Sequence, residues 1–301
     1  MTAKPNWVLA LILALIFLVL AAAPLVLPGV RALDTAARIC VFIVLVASYD
    51  LLLGYTGVVS FAHTMFFGMG AYGVALGLTH LGRTWEAVLI GAGAGTAAAV
   101  VLAAVIALFS LRVRAIFFAM ITLAVASAVA VMVSQLSGLT GGEDGLSFQT
   151  PRELGPAMRF REAPLTGIDI TALGPVIRGE APPAALWTEV RLTGKLAAYW
   201  LVFLGMVVLV GLMRRIVASP FGTVLQAIRE NEFRAEAIGY DVIRYRIAVT
   251  CLSAGFAALA GALYALWLRY VGPDTVLSFE IMVDVLLMVV IGGMGTIWGA
   301  V

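Results

Sequence analysis

The chain has 301 residues, of which 62% are hydrophobic and 12% are charged, and its mean hydropathy is +1.06. These values exclude a soluble globular protein, because apolar runs this long are typical of segments that cross a bilayer. The net charge of +2, with no separate basic cluster, argues against a nucleic-acid partner.

Eight apolar segments predict an all-α, polytopic transmembrane helix bundle that forms a single transmembrane domain over residues 1–301. The first segment is longer than the apolar core of a typical signal peptide, so we expect an uncleaved helix. Glycines inside several segments predict broken or re-entrant spans. The segments lie at about residues 7–27, 36–53, 58–79, 87–109, 115–136, 197–217, 247–270 and 281–301.

The distribution of arginine predicts the orientation, because basic residues in short loops stay on the cytoplasmic side of the membrane. A cytoplasmic N-terminus places the loop at 218–246 inside, and the loop at 138–196 outside as an irregular cap. The basic residues that this orientation places inside are Arg112, Arg114, Arg214, Arg215, Arg229, Arg234, Arg244 and Arg246, and those placed outside include Arg31 and Arg83.

Residues 50–73, DLLLGYTGVVSFAHTMFFGMGAYG, interrupt an apolar run with glycine and place ionisable groups at membrane depth. Broken spans are tolerated where the freed backbone faces protein or water, and intramembrane charges usually face a bundle interior. We therefore expect this region to line the translocation path. The alternative is an ordinary hairpin, with Asp50 at the interface and His63 hydrogen-bonded inside the bundle. The candidate path residues are Asp50, Gly54, Tyr55, Gly57, Ser60 and His63.

Residues 137–146, SGLTGGEDGL, follow the fifth predicted span with closely spaced glycines and two carboxylates. Such glycines permit positive φ and a compact turn. The segment is interpreted either as a plain turn or as an outer gate that meets a partner or an amino group. The candidate gate residues are Gly141, Gly142, Asp144 and Gly145.

Residues 219–246 form the densest charged stretch of the chain. Pro220 and Gly222 precede good helix formers and Gly239 supplies a stop, which predicts one amphipathic helix of about four turns. Its predicted apolar stripe comprises Val224, Ile228, Ala235 and Ile238, and Glu230 is expected to pair with Arg234. Either another protein or the lipid surface must cover the stripe.

The last stretch, FEIMVDVLLMVVIGGMGTIWGAV at 279–301, carries Asp284 one turn into an apolar run that Gly292 and Gly293 interrupt. Glycine is unfavourable in a helix interior, so we expect a bent segment that a following helix covers. The sequence therefore predicts that the natural product continues beyond Val301.

Pairs of small residues four positions apart predict close helix contacts in the bundle. These pairs are Gly73 and Gly77, Gly91 and Gly95, Ala257 and Gly261, and Gly295 and Gly299.

Catalytic, metal and nucleotide signals are not found in the sequence. Cys40 and Cys251 both fall in apolar spans, which predicts neither a disulfide framework nor a metal site. Lys195 follows Gly194 without the remainder of a Walker A pattern. We therefore expect no enzyme, no metal and no cofactor in this chain.

Four of these stretches, at 50–73, 137–146, 219–246 and 279–301, resemble signatures of the LivM/LivH-type permeases. These are membrane subunits of ABC importers for branched-chain amino acids. The resemblance implies a partnership with a second homologous permease, two ABC ATPase subunits that bind the ATP, and a periplasmic solute-binding protein, within the lipid of a bacterial inner membrane. Permeases of this kind move leucine-type or other amino acids, urea or short amides, or aromatic acids.

In that family the cytoplasmic loop holds the coupling helix, which sits in a groove of the ATPase. The resemblance implies ATPase contacts through Arg229, Glu230, Asn231, Glu232, Ala235, Glu236 and Gly239.

A second hypothesis is a proton-coupled secondary transporter in which Asp50, His63 and Asp284 relay protons, because such carriers use ionisable groups at membrane depth. Such a carrier has no need for a coupling helix. A structural membrane protein, the third possibility, would leave the broken spans unexplained.

Overall fold

The computed structural model describes residues 7–26, 29–110, 115–155, 158, 160, 165–168, 187–190, 192–296 and 299. The predictions for Arg112, Arg114 and Val301 lie outside these residues.

The described residues form α-helices joined by short connections. The helices are α1 (Trp7–Val26), α2 (Val30–Thr56), α3 (His63–His80), α4 (Trp85–Ser110), α5 (Ala115–Gln135), α6 (Ser137–Thr140), α7 (Gly194–Val217), α8 (Pro220–Glu230), α9 (Glu232–Ala237), α10 (Val242–Leu268), α11 (Pro273–Val276) and α12 (Phe279–Gly292). The strands are β1 (Leu146–Ser147), β2 (Leu165–Ile168), β3 (Trp187–Val190) and β4 (Tyr270–Val271).

The helices confirm an all-α, polytopic bundle. Each predicted span overlaps a helix, although α3 begins only at His63 and α12 already ends at Gly292. In the described part of the chain six segments are long and apolar enough to cross a membrane. α1 and α3 fall outside these six. α3 is mostly buried inside the bundle, so its side chains meet protein more than lipid, and high hydropathy is not required there.

The bundle is built around α2 and α3. α2 packs against α7, α10 and α12, while α3 packs against α4 and α10. Small residues permit these contacts: a Cβ added at Gly70 would lie 1.8 Å from the Ala258 carbonyl oxygen, and one at Gly261 would lie 1.8 Å from that of Phe67. Helix backbones can approach this closely only where side chains are absent.

The predicted glycine contacts hold for α3 against α4. A Cβ at Gly73 would lie 2.4 Å from the Gly91 carbonyl oxygen, and one at Gly77 would lie 2.5 Å from that of Ala87. Gly295 does not belong to a helix pair, because it lies beyond the end of α12 with φ 83°. It still approaches α2 closely, since an added Cβ would lie 3.0 Å from the Gly54 carbonyl oxygen.

The 138–196 segment contains regular structure that the sequence did not predict. β1 pairs antiparallel with β4, which follows α10, and β2 pairs antiparallel with β3. These described parts are therefore more ordered than the expected irregular cap.

Candidate coupling and translocation site

The charged stretch at 219–246 folds as two helices, so the prediction of a single helix was wrong. Asn231 separates α8 from α9 because it takes an extended conformation, with φ −159° and ψ 99°. Its side-chain oxygen accepts a hydrogen bond from the Arg234 N–H at 2.9 Å and caps α9. The break also removes the helical spacing between Glu230 and Arg234, and no ion pair joins them in the described chain. Gly239 takes φ 101° just after α9, as expected of a glycine stop.

The apolar side of this helix pair packs on the protein itself. Val224, Ile228 and Ala235 form a buried cluster with Val242, the first residue of α10. Ala235 is only 2% exposed, so its side chain does not face outward as the proposed ATPase contact requires. Ile238 was predicted in the same stripe, but it is 70% exposed because the break at Asn231 turns α9 relative to α8.

A bidentate ion pair attaches α9 to α10. Arg246 donates to both carboxylate oxygens of Glu232, at 2.8 and 3.0 Å. This geometry is stronger than a single contact, and the Arg246 side chain is only 18% exposed. Glu232 therefore binds within the chain, whereas it was predicted as a contact to the ATPase.

The central helix α2 ends within the predicted break at Gly54 to Gly57, but beyond residue 53, where the predicted span ended. Gly54 and Tyr55 are still helical, and Gly57 ends α2 with φ 71° while its N–H donates to the Leu53 carbonyl oxygen at 2.9 Å. Residues 57–62 are not helical, and α3 begins at His63. The interruption therefore lies between Gly57 and His63.

Four residues from three separate segments meet at this end of α2. The Arg229 guanidinium donates to the Gly54 carbonyl oxygen, and the Gly295 N–H donates to Asp50 Oδ1 at 2.8 Å. Asp50 is 2% exposed, and the charge of Arg229 acts on its carboxyl group. A Cβ at Gly54 would lie 2.0 Å from Asp50 Oδ1 and 2.4 Å from the Gly295 nitrogen. We call Asp50, Gly54, Arg229 and Gly295 the α2-end cluster.

The α2-end cluster combines residues that the sequence had assigned to different roles. Asp50 and Gly54 were path candidates, Arg229 was a coupling candidate, and Gly295 was a helix-packing residue. Nothing in the local sequence indicates that positions 50 and 295 meet, since only the folded bundle brings the end of α12 to α2.

His63 lies in a separate buried network. Ser48 Oγ donates its hydrogen to the Leu45 carbonyl oxygen at 2.7 Å, so His63 Nε2–H is the donor in the 2.8 Å contact with Ser48 Oγ. Ser253 of α10 donates to the Ser48 carbonyl oxygen at 2.6 Å. Ser48 and Ser253 were missed because serines inside apolar spans carry no distinctive spacing.

The remaining path candidates are also buried. Ser60 is 1% exposed and accepts a hydrogen bond from the Ala62 N–H at 3.3 Å, and Tyr55 is 5% exposed. The predicted proton relay is not continuous in the described part of the chain, because Asp50 and His63 have different partners and Asp284 is exposed.

The candidate gate at 141–145 is a turn that joins α6 to the segment after α10. Gly141 ends α6 with φ 76°, and Gly142 and Asp144 lie in a short 3-10 turn. Gly145 approaches the Val271 carbonyl oxygen so closely that an added Cβ would lie 2.5 Å from it. The Tyr270 hydroxyl donates to the Asp144 carbonyl oxygen at 3.0 Å. The turn lies at the far end of α10 from α9, about 40 Å along that helix.

Arg269 reinforces this far end. Its guanidinium donates to the Leu154 carbonyl oxygen at 2.8 Å, and its own carbonyl oxygen accepts from the Phe148 N–H at 3.2 Å. Burial lowers the pKa of the Arg269 guanidinium from its ordinary value, because the charged form loses solvation.

The bundle, its broken central helix and the helix pair packed on the break define a polytopic membrane protein with a transporter-like architecture. The family model described as "Branched-chain amino acid transport system / permease component" matches residues 31–301. The chain belongs to this family, and the prediction from its motifs is confirmed.

Curated relatives agree with this assignment. The chain is 27% identical over 264 residues to the high-affinity branched-chain amino acid transport system permease protein LivM of Salmonella typhimurium, and 28% identical over 264 residues to that of Escherichia coli. Each alignment covers 87% of this chain and 59% of the relative, so the chain spans somewhat over half the length of these relatives.

A shorter match is to the probable LivM permease of Methanocaldococcus jannaschii, 35% identical over 81 residues, which is 27% of this chain and 24% of that protein. No solved structure matches the chain at a significant level.

Proposed function

We propose that the chain is the membrane permease subunit of an ATP-driven ABC importer for branched-chain amino acids or a related small solute. The observation that carries the proposal is the contact between Arg229 of α8 and the Gly54 carbonyl oxygen of α2. It links an amphipathic helix pair outside the bundle to the broken end of its central helix. An importer driven by separate ATPases requires such a link.

The partners follow from the same proposal. Two ABC ATPases bind the ATP, so this chain has no cofactor of its own, and a second homologous permease completes the pathway. A periplasmic solute-binding protein delivers the substrate at the end that carries the turn at 141–145.

The proposed ATPase contact is the outer side of α8 and α9. Phe233 is 85% exposed and Ile238 is 70% exposed on this side, and Glu230, Arg234 and Glu236 are exposed beside them. Two large apolar side chains among charges are typical of a surface that a partner covers. Docking on anionic lipid is less favourable because acidic residues share the surface.

The proposed transmission runs from α8 to the 57–62 break. Movement of the ATPases displaces α8, and Arg229 transfers this displacement to the final turn of α2. The non-helical segment after Gly57 then rearranges to open one side of the pathway and close the other. Since α8 and α9 meet the ATPases in this proposal, they lie in the cytoplasm, together with the N-terminus.

The test is reconstitution of the permease pair with its two ATPases and its binding protein in proteoliposomes, followed by uptake of radiolabelled leucine. ATP-dependent uptake that requires the binding protein is the expected result. Uptake driven by a pH gradient without ATP would instead establish the secondary-transporter alternative, and absence of uptake in both conditions would contradict the proposed substrate class.

A further inference from the structure

A cavity lies at the end of α10 that is far from α9. It has a volume of about 540 Å³, which falls within the range of sites that bind small molecules. Its described lining comes from Arg83 in the connection between α3 and α4, from residues 149–158 after β1, and from Arg269 directly after α10. Three parts of the chain that are distant in sequence therefore build this cavity.

The described lining carries three positive charges and no carboxylate. Arg83, Arg152 and Arg269 supply these charges, and we call the space between them the arginine cavity. The side chains of Arg83 and Arg152 form no hydrogen bond or ion pair within the described chain. Like charges around one cavity repel each other, and an anion bound between them offsets this repulsion.

A buried donor without a partner is an independent indication of a ligand. Arg269 Nε is buried and has no hydrogen-bond partner in the described chain, although the Nη2 group of the same side chain donates to the Leu154 carbonyl oxygen at 2.8 Å. Buried polar groups are normally paired, so this N–H is suited to an acceptor on a bound molecule. The Arg269 N–H also donates to the Ala265 carbonyl oxygen at 2.8 Å, which fixes the backbone. The cavity therefore has a guanidinium that is held in place and keeps an unused donor.

The arginine cavity lies at the boundary of the membrane. Arg83 stands between Leu81 and Trp85, which are both exposed, and Trp85 is the first residue of the membrane-spanning helix α4. Tryptophan is enriched at the level of the lipid headgroups. Leu89 and Ile90, about one turn further along α4, are exposed apolar residues of the span. A ligand with a charged group in the cavity can therefore place an apolar part against α4.

The arrangement of the donors fits a phosphate group. Guanidinium groups bind phosphate oxygens through paired N–H donors. A phosphate presents oxygens in several directions, as arginines from three separate segments require, whereas a carboxylate presents two oxygens in one plane. The Gln149 amide and the Thr150 hydroxyl add polar groups to the same lining.

We infer that the arginine cavity binds a phosphate group through Arg83, Arg152 and Arg269. Its place at the membrane boundary favours the phosphate of an anionic lipid headgroup, and free inorganic phosphate has the same chemistry. The inference depends neither on the transported solute nor on the ATPases.

The test measures lipid binding to the purified full-length chain, with the subunits that copurify, by native mass spectrometry in detergent. Phosphatidylglycerol is compared with phosphatidylcholine of identical acyl chains. Both lipids contain phosphate, but the choline ammonium group of the second cancels the negative charge and is repelled by the arginines. Phosphatidylglycerol is expected to bind at least about tenfold more tightly.

Two substitutions remove charge from the cavity without breaking a contact in the described chain. Arg83→Gln and Arg152→Gln should therefore retain the melting temperature of the parent. Each should weaken phosphatidylglycerol binding by about fivefold, and the two together should bring it close to that of phosphatidylcholine. Unchanged preference for phosphatidylglycerol in the double variant would overturn the inference.

Arg31→Gln is the matched control. Arg31 is exposed and lies outside the cavity, near the start of α2. It is at the same end of the bundle, because Asp34 in the next turn accepts a hydrogen bond from Trp267 near the end of α10 at 2.7 Å. Its loss should change phosphatidylglycerol binding by less than about twofold. A loss as large as that in Arg83→Gln would indicate general surface charge and would overturn the inference.

Inorganic phosphate distinguishes the two sources of the ligand. A melting temperature that rises with millimolar phosphate in the parent, but not in the Arg83→Gln, Arg152→Gln double variant, would assign the site to the free ion. A lipid preference without this effect would assign it to the lipid headgroup. Absence of both effects would overturn the inference and leave the arginines to an acidic protein surface. Neither readout uses ATP or leucine, so a failure of the proposed importer function would leave this test unchanged.

Discussion

Arg229 donates a hydrogen bond to the carbonyl oxygen of Gly54, and this contact ties the helix pair outside the bundle to the last turn of α2. The last carbonyl groups of a helix lack partners within it, and a positive charge there also interacts favourably with the helix dipole. Arg229 satisfies both requirements. It further supplies positive charge close to the buried carboxyl of Asp50.

Replacing Arg229 should therefore uncouple the transporter. In Arg229→Ala we expect leucine uptake to fall by about tenfold, equivalent to about 1.4 kcal/mol, while association with the ATPases is retained. Uptake in proteoliposomes and co-purification of the ATPases measure these two effects.

Arg244→Ala is the matched control for loss of an arginine in this region. Arg244 pairs with Asp241, but its side chain is 85% exposed, and ion pairs that exposed contribute little. Equal uptake by Arg229→Ala and Arg244→Ala would show that the contact with Gly54 is dispensable.

Gly54→Ala tests the close approach of the Gly295 segment to α2. The added Cβ would lie 2.0 Å from Asp50 Oδ1, so the Asp50 contact with Gly295 at 2.8 Å must break or shift. We expect a lower melting temperature and loss of most leucine uptake. Gly93→Ala is the control, because nothing lies within 4 Å of its added Cβ and alanine favours a helix by about 1 kcal/mol. If both variants melt and transport alike, the close packing at Gly54 has no role.

Gly57→Val tests the end of the central helix. Gly57 has φ 71°, a conformation that costs other residues about 1–2 kcal/mol and β-branched residues more. We expect leucine uptake to fall more than assembly with the second permease and the ATPases does. Gly57→Asn should retain more uptake, since asparagine tolerates positive φ. A Gly57→Val protein that assembles and transports like the parent would reduce this region to an ordinary hairpin.

The sequence was sufficient to predict the fold class, because the length of an apolar segment and the spacing of its glycines are properties of a contiguous stretch of sequence. It predicted close helix packing at the glycine pairs of α3 and α4, without naming their partners, and it predicted a break near Gly57 from turn-forming residues alone. The family was also predictable, since four motifs lie in the expected order.

The α2-end cluster was not predictable, because it depends on a contact between positions 50 and 295 that only the packed bundle creates. The direction of Ile238 was wrong for a related reason. Helical periodicity was applied across Asn231, whose extended backbone interrupts the helix and changes which side chains face outward.

The orientation of α9 separates two effects that a substitution in this region can have. Ala235 is 2% exposed against Val224 and Ile228, so Ala235→Arg forces a charge into the contact between α8, α9 and α10 and should destabilise the permease itself. Phe233 is 85% exposed, so Phe233→Asp should leave the melting temperature within about 1 °C of the parent. If the exposed side of α9 binds the ATPase, Phe233→Asp and Ile238→Asp should each weaken ATPase association by at least about tenfold, because an apolar contact residue is replaced by a charge. Melting of the isolated permease pair measures destabilisation by Ala235→Arg, and ATPase binding in nanodiscs measures the loss of docking in the two aspartate variants. Unchanged ATPase binding in both aspartate variants would place the docking surface elsewhere on the molecule.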